Sequence, residues 1–392
     1  MEFEKLIHQE RRGTNCMKWD GMQRSFGDGE LEAFWVADMD FHAPECVRNA
    51  LRNWADNAIY GYYFAPESYL QSFIDWEKNE HAVEVQREWI RFAPGIVTGL
   101  YWAVAALTDP GDAVAVIKPV YYPFFGAVQD TGRRLVSCEL RNESGVYTVD
   151  FAALEQLFRE EQPKALIMSS PHNPVGRVFR REELERICAL CEQYGVLIFS
   201  DEIHQDLVYE GHTHIPTMTV KPQGVVTFAS ASKSFNLAGL QNSFIVIPDA
   251  DLRERFDGYM KAHVSIHGGC VVGDLAAEAA FRGGKPWLNS VRKLVRENFT
   301  AIREILAQKA PKVIVTELEG TYLMWIDLRA YLTGQDEIKA LVQDRCRLAV
   351  DFGDWFGGDA FVGFIRINLA TDTERCIHAA ERLGNALAAL EA

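Results

Sequence analysis

A length of 392 residues predicts two or three domains, and 48% apolar with 24% charged residues is the composition of a globular protein, not of a disordered or fibrous one. The net charge of −15 opposes binding to a nucleic-acid backbone, which depends on Lys and Arg. The sequence also lacks a signal peptide's apolar core near its start and any stretch as long as a membrane span, so we expect a cytoplasmic protein without nucleic-acid or membrane partners.

The eight cysteines are scattered through this long chain, whereas disulfide frameworks belong to short secreted domains, so we expect most of them to be reduced. Cys188 and Cys191 form a C-x-x-C pair, but the apolar residues around them recur at helical spacing, and no second pair would complete a zinc site. We therefore predict a buried helix face here and no metal site.

Short apolar runs alternate with amphipathic stretches in the middle third, a pattern typical of a mostly parallel α/β sheet covered by helices. The predicted strands are residues 113–117, 165–168, 196–199, 225–228 and 244–247. A helix over residues 182–194, ended by Gly195, connects the second strand to the third and completes a crossover unit.

The last third predicts a separate, smaller α/β unit that begins near Pro286. A long helix over residues 287–310 ends at Pro311. The remaining predicted elements are strands at 313–315, 322–326 and 364–368 and helices at 336–346 and 373–390.

The sharpest local signal is SASKSFNLAGL at residues 230–240, directly after a predicted strand. Lys233 could form an imine with an aldehyde there, while Ser230 and Ser232 donate hydrogen bonds to a phosphate. Such a lysine must be neutral when it attacks, which burial favours. A surface lysine in a serine-rich turn is the alternative reading of this segment.

Polar residues also follow two other strands, at the edge of the sheet where open α/β folds bind ligands. In FSDEIH at 199–204, Asp201 could hold a pyridine nitrogen protonated, although a helix N-cap is an equal alternative. In SSPHNPVG at 169–176, the amide of Asn173 could donate to a phenolate oxygen. Three strand ends therefore point to one place.

These segments resemble the pyridoxal-phosphate (PLP) enzymes of fold type I, the aspartate aminotransferase superfamily. RGTN at 12–15, WVADMDF at 35–41, DEIH at 201–204 and FIRINLAT at 364–371 resemble its C–S lyase branch, of the cystathionine β-lyase type. The resemblance implies an α/β fold with a large domain at residues 46–285, built on a mostly parallel seven-stranded sheet. It also implies a small C-terminal domain at 286–392, with the N-terminal segment 1–45 packed on it.

The resemblance also implies which residues bind PLP. Lys233 would carry the cofactor and move the proton at the substrate α-carbon, Asp201 would pair with the pyridine nitrogen, and Asn173 would bond the phenolic oxygen. Tyr121 would stack on the ring, with the adjacent Tyr122 as its competitor. The remaining implied cofactor contacts are the phosphate-binding backbone of Ile96, Val97 and Thr98, together with Ser230, Ser232, His204 and Tyr62.

For the amino-acid substrate, the resemblance assigns the α-carboxylate to Arg366, a job suited to its forked guanidinium, with Asn173 also in reach. A structural ion pair is the alternative for Arg366. Val36 and Ala37 would lie over the substrate. Tyr62 would extend into a neighbouring subunit, which implies a homodimer, although Tyr60 or Tyr63 could take that place.

The implied reaction is α,β-elimination on L-cystathionine or a related S-substituted cysteine. Aminotransfer is the main alternative, because it uses the same residues up to proton removal; His204 beside Asp201 favours the lyase, although a structural histidine is an equal reading. The segment SIHGGC at 265–270 departs from the lyase pattern, which leaves side-chain preference open, and we expect no metal or nucleophile pair at His267 and Cys270. A lyase that doubles as a protein-binding regulator is a second alternative.

Overall fold

The computed structural model describes residues 2–266 and 268–391. Its strands are β1 (Glu32–Ala33), β2 (Ile90–Ala93), β3 (Ala113–Lys118), β4 (Arg134–Glu143), β5 (Val146–Val149), β6 (Ala165–Ser169), β7 (Leu197–Asp201), β8 (Val225–Ala229), β9 (Ser243–Val246), β10 (Ile314–Val315), β11 (Leu323–Asp327), β12 (Leu348–Ala349), β13 (Asp351–Phe352) and β14 (Phe364–Asn368).

The α-helices lie between these strands. They are α1 (Met17–Asp20), α2 (Met22–Phe26), α3 (Glu45–Ala55), α4 (Glu67–His81), α5 (Ile96–Leu107), α6 (Pro123–Gln129), α7 (Phe151–Glu161), α8 (Arg181–Tyr194), α9 (Thr217–Val220), α10 (Ala231–Ser234), α11 (Ala250–His263), α12 (Val271–Gly283), α13 (Lys285–Lys309), α14 (Gln335–Lys339) and α15 (Thr373–Ala388). Within the described ranges, no helix is both long and apolar enough to cross a membrane.

The large sheet has eight strands in the order β2-β9-β8-β7-β6-β3-β4-β5. Its five central strands, from β8 to β4 in that order, run parallel, whereas β2, β9 and β5 pair antiparallel with their neighbours. The predicted α/β class with a mostly parallel sheet is therefore confirmed. The sheet has eight strands, whereas the resemblance implies seven. The apolar runs of the sequence predict five of the eight and miss β2, β4 and β5. The strands β4 and β5 mix exposed with buried positions, so they lack a continuous apolar run.

The core of the large sheet lies on both of its faces, because successive residues of a strand point to opposite sides. In β3, Val114 and Val116 pack into the cluster that α5 covers, whereas Ala115 and Ile117 face the cluster on the other side. Cys188 and Cys191 are buried in this second cluster on α8, as their helical spacing predicts. The sheet is thus held rigid from both sides, which fixes the positions of its strand ends.

The C-terminal part forms a second, antiparallel sheet in the order β10-β11-β14-β13, with α13 and α15 packed against each other. The N-terminal segment joins it: β1 pairs with β12, and the backbone N–H of Asn368 donates to Phe34 O at 2.8 Å. The helix predicted at 336–346 begins as α14 but continues as a π-helical turn at Ala340–Arg345. The domain boundaries given above stay predictions.

A buried ion cluster anchors the N-terminal segment. Lys18 Nζ donates to Asp40 Oδ2 at 2.8 Å, and both side chains are fully buried. Burial opposes the ionisation of Asp40, but the charge of Lys18 and the hydrogen bonds from Lys18, Trp19 and Arg11 outweigh it and hold the Asp40 pKa below its ordinary value. The cluster therefore holds Asp40, two residues after the segment 35–38, in a fixed position.

We expect Lys18→Met to lower the free energy of unfolding by about 3 kcal/mol, because it leaves a buried carboxylate without its main counter-charge. Urea denaturation at pH 7 measures this. The control is Lys78→Met, which removes an exposed ion pair with Glu84 and should change stability by less than about 1 kcal/mol. Because the Asp40 pKa is lowered on folding, the pair's contribution is present above about pH 4 and is lost as the pH falls further. An equal effect of the two variants would contradict the assignment.

Candidate active site

A cavity of about 190 Å³ opens at the carboxyl ends of β6, β7 and β8. It is lined by Ala37, Pro94, Gly95, Ile96, Val97, Thr98, Tyr121, Ser169, Asn173, Asp201, Ile203, His204, Ser232, Lys233, Ala238 and Asn242. The three strand ends that the sequence predicts to converge do meet here, because the strands are neighbours and parallel.

Lys233 lies on α10, the single helical turn that follows β8, and its Nζ donates to Ala37 O at 2.6 Å. Burial lowers the pKa of Lys233 to about 8; the charge of Arg366 acts in the same direction, and Asp38 and Asp201 oppose it. A lower pKa gives a larger neutral fraction of the amine near pH 7, and only the neutral amine is a nucleophile.

Asp201 is the last residue of β7 and is buried. Burial raises its pKa to about 7, which the Ile203 amide and the charge of Lys233 oppose. Among the described residues, the Asp201 side chain accepts one hydrogen bond, from the Ile203 N–H to Oδ1 at 3.1 Å. A cationic group of a ligand would therefore find an acceptor here and would stabilise its ionised form.

The opposite end of the cavity is built for an anion. Ile96, Val97 and Thr98 form the first turn of α5, where the backbone N–H groups have no partner within the helix and the helix dipole favours negative charge. Ser232 lines the same cavity, but Ser230 does not. The Ser230 hydroxyl donates to Asn242 O at 2.7 Å and accepts from Ser232 N. A contact between Ser230 and a phosphate stays a prediction.

Two aromatic or heteroaromatic side chains line the cavity between these ends. Tyr121 faces the cavity, whereas its competitor Tyr122 packs edge-on against Trp355 and Phe356. Burial lowers the pKa of His204 well below its ordinary value, with Lys233 and Arg366 adding to the effect, so the ring is neutral. Its buried Nδ1 has no partner in the described part of the chain.

Arg366 lies at the centre of β14 and is 2% exposed. Its Nη1 donates to Asn173 Oδ1 at 2.9 Å. Arg366 does not line the cavity itself, but it contacts Asn173, which does. Nη2 donates to Trp35 O at 3.0 Å and forms an ion pair with Asp351. Asp351 is a further residue that sequence reasoning missed, because a single aspartate in a short strand carries no pattern.

Residues 35–38 close this side of the cavity with their backbone. Ala37 lines it, and its carbonyl accepts from Lys233 and from the hydroxyl of Tyr322 at 2.8 Å. Val36 does not line it, but its carbonyl accepts from Asn368 Nδ2 at 2.7 Å. Tyr322 and Asn368 are site residues that sequence reasoning missed.

Tyr62 lies away from the cavity and is fully exposed, as are its neighbours Ile59 and Phe64 for the most part. Within this single chain it therefore makes no contribution to the site. The loop at 265–270 ends at Cys270, the N-cap of α12, and His267 lies outside the described residues, so the expectation for this pair stays a prediction.

Asn236, three residues after Lys233, is another residue that sequence reasoning missed. Its Nδ2 donates to Met39 O and Phe41 O at 3.0 and 2.9 Å, and its Oδ1 accepts from Met39 N at 3.0 Å. Its backbone φ is +59°, a left-handed conformation that Asn tolerates better than most residues. Asn236 therefore ties the turn that carries Lys233 to the N-terminal segment.

We expect Asn236→Ala to lower the free energy of unfolding by about 3 kcal/mol, since it loses hydrogen bonds worth about 1 kcal/mol each. Asn236→Gly should cost about 1 kcal/mol less, because glycine adopts positive φ freely. Gln241→Ala is the control: Gln241 also has a positive φ of 51°, and its side chain is exposed. If Gln241→Ala costs as much as Asn236→Ala, the backbone conformation and not the hydrogen bonds carries the effect.

The sequence model of the family described as "Aminotransferase class I and II" matches residues 35–383. Cystathionine beta-lyase PatB of Bacillus subtilis is 36% identical over 94% of this chain and 95% of its own. Among solved structures, cystalysin of Treponema denticola, which contains pyridoxal 5'-phosphate, has a TM-score of 0.93 and 33% identity over 99% of each chain. The PLP-bound C–S lyase of Staphylococcus hominis has a TM-score of 0.91 and 30% identity over 97% of each chain.

The fold and the cavity are those of the PLP-dependent enzymes of fold type I, and the chain belongs to the aminotransferase class I and II family. Within that family it falls in the branch of C–S lyases, to which the relatives above also belong.

Proposed function

We propose that this protein is a PLP-dependent C–S β-lyase that acts on L-cystathionine or related S-substituted L-cysteines and forms a thiol, pyruvate and ammonia. The observation that carries the proposal is the meeting of Lys233, Asp201 and the N-terminus of α5 at one cavity in a chain of the C–S lyase branch. An amine with a lowered pKa, a buried carboxylate and an anion site are the groups that PLP needs.

The residues of the cavity fit the cofactor part by part. The N–H groups of Ile96, Val97 and Thr98, with Ser232, would hold the phosphate, and Tyr121 would cover the ring. Asp201 would pair with the pyridine nitrogen, Asn173 with the phenolic oxygen, and Lys233 would bind the aldehyde carbon, with the unpartnered His204 as a further contact. When bound, PLP withdraws electrons from the substrate α-carbon and so stabilises negative charge there.

The protein residues would then divide the remaining work. Arg366 and Asn173 would hold the substrate α-carboxylate, while Ala37 would cover the substrate and exclude water. Val36, which does not line the cavity, would contribute by anchoring this segment to Asn368 through its carbonyl. Lys233, as a neutral amine, would remove the α-proton. The β-carbon–sulfur bond then breaks with its electron pair on sulfur, the thiolate takes a proton, and the released three-carbon enamine hydrolyses to pyruvate and ammonia.

Aminotransfer is the alternative, because it needs the same residues up to the removal of the α-proton and the family includes aminotransferases. In aminotransfer Lys233 would return the proton to a carbon of the cofactor, whereas in elimination the thiolate leaves and takes a proton. A lyase that also binds a regulatory partner is a second alternative, and a stoichiometric partner retained from native lysate would be its signature. The cytoplasmic location stays a prediction.

We expect the purified holoenzyme to form pyruvate and free thiol in equal amounts from L-cystathionine with no keto acid present. Lys233→Ala should abolish both products and the visible absorbance of the bound cofactor, because it removes the amine that binds the aldehyde. Lys118→Ala is the matched control, since Lys118 ends β3 of the same sheet and does not line the cavity. Product that forms only after a keto acid is added would instead identify an aminotransferase.

We also propose that the active unit is a homodimer in which Tyr62 of one subunit reaches the phosphate in the other. Support comes from the exposure of Ile59, Tyr60, Tyr62 and Phe64, an apolar patch that a globular protein seldom leaves in water. Tyr60 and Tyr63 are the alternatives to Tyr62.

Hybrid dimers test this arrangement. If sites are shared, a dimer of one Lys233→Ala subunit and one Tyr62→Ala subunit contains one site with both residues intact. Unfolding and refolding the two variants together should then give more activity than the mean of the variants refolded separately. Activity equal to that mean would contradict a shared site, and the same mixture with Tyr60→Ala or Tyr63→Ala identifies which tyrosine crosses.

A further inference from the structure

Asp351 is a second buried charge at the proposed carboxylate site. It lies on β13, directly opposite Arg366 of β14 in the antiparallel ladder. The two side chains are 1% and 2% exposed and form an ion pair. Because the ladder register sets their positions, the pairing is built into the sheet and does not depend on a flexible loop.

Asp351 occupies one edge of the guanidinium. Arg366 Nη2 is shared between Asp351 Oδ2 and Trp35 O, and Nη1 goes to Asn173. Among the described residues, Nε of Arg366 and Oδ1 of Asp351 have no partner. The ring of Phe356 lies 5.0 Å from Cζ and covers one face of the group. The orientation of the fork is therefore set by Asp351 and Asn173 together.

The charges around Asp351 determine when it is ionised. Arg366 faces it from β14, and Tyr121 and Tyr122 approach from the segment before α6; burial raises the pKa of both tyrosines, so they are neutral. Burial also raises the pKa of Asp351 to about 6, with the charge and hydrogen bond of Arg366 opposing the rise. At neutral pH Asp351 is therefore mostly ionised and compensates the charge of Arg366.

On the basis of the proposed function, in which Arg366 binds the substrate α-carboxylate, we propose that Asp351 is a positioning residue that orients this arginine and is its counter-charge until substrate arrives. The incoming carboxylate is then the second anion on one guanidinium. Two carboxylates at one site disfavour each other's ionised form. Substrate binding therefore draws a proton onto Asp351.

The sign of the pH dependence follows. Below about pH 6 Asp351 is protonated in the free protein, and Arg366 attracts an anion without competition. As the pH rises through that value, Asp351 ionises, and a carboxylate binds only against its repulsion or together with a proton. Affinity for carboxylates should therefore fall as the pH rises, and binding near pH 7 should take up protons.

The probe is 3-(methylthio)propionate, which keeps the carboxylate and the thioether of S-methylcysteine but lacks the amino group that reacts with the cofactor. Calorimetry of the holoenzyme at pH 7 in two buffers of different ionisation enthalpy measures both Kd and the number of protons taken up. Asp351→Asn removes the charge but keeps an oxygen that accepts from Arg366, whereas Asp351→Ala removes both. Asp354→Asn, three residues along the same segment, is the control.

We expect proton uptake by the wild type and by Asp354→Asn, and none from this source in Asp351→Asn, whose Kd at pH 7 should be lower than that of the wild type. Asp351→Ala should bind about tenfold more weakly than Asp351→Asn, since it loses a charge-assisted hydrogen bond. In turnover with L-cystathionine, the difference between these two variants should lie in KM, with kcat retained. Circular dichroism and cofactor absorbance check that each variant is folded and loaded.

If Asp351→Asn takes up as many protons as the wild type, the counter-charge role is wrong. If Asp351→Asn and Asp351→Ala have equal Kd values, the positioning role is wrong. Arg366→Lys separates this inference from the proposed function. If Arg366→Lys binds the probe as tightly as the wild type, the assignment of the carboxylate to Arg366 fails. If Arg366→Lys weakens binding while the Asp351 variants behave as wild type, only the inference about Asp351 fails.

Discussion

The backbone carbonyls of residues 35–38 accept hydrogen bonds from side chains that come from three distant parts of the chain. Lys233 follows strand β8 of the large sheet, Tyr322 precedes β11, and Arg366 and Asn368 belong to β14. A buried carbonyl must find a donor, and one of these donors, Lys233, also lines the cavity. One short segment therefore sets the distance between the proposed cofactor lysine and the proposed carboxylate arginine.

Burial of charge is the second constraint, and it gives the cavity its chemistry. The same desolvation lowers the pKa of Lys233 to about 8 and raises those of Asp201 and Asp351 to about 7 and 6. The pKa values of one amine and two carboxylates thus lie close to neutral pH. Proton transfer between groups with similar pKa values requires little free energy. Clusters of this kind mark functional sites more often than structural ones.

Several features of the site depend on contacts that cannot be predicted from a sequence pattern. Asp351 acquires its partner through the register of β13 on β14, and Asn236 through a left-handed turn that reaches back to Met39 and Phe41. The sequence does not distinguish Tyr121 from Tyr122 as the residue that faces the cavity. In the structure, the turn before α6 directs the Tyr121 ring to the cavity and the Tyr122 ring to Trp355. The hydrogen bond from the Ser230 hydroxyl to Asn242 O, which joins the Lys233 turn to the segment before β9, is likewise seen only in the structure.

The sequence by itself determined the α/β class, four of the five central parallel strands and the convergence of Asp201, Asn173 and Lys233. These follow from local rules: a continuous apolar run predicts a buried parallel strand, and polar residues just after parallel strands must share one edge. Only the tertiary structure decided the eighth strand, the partner of Arg366 and the tyrosine that faces the cavity. Those depend on strand register and side-chain direction, which are set by contacts between residues far apart in the chain.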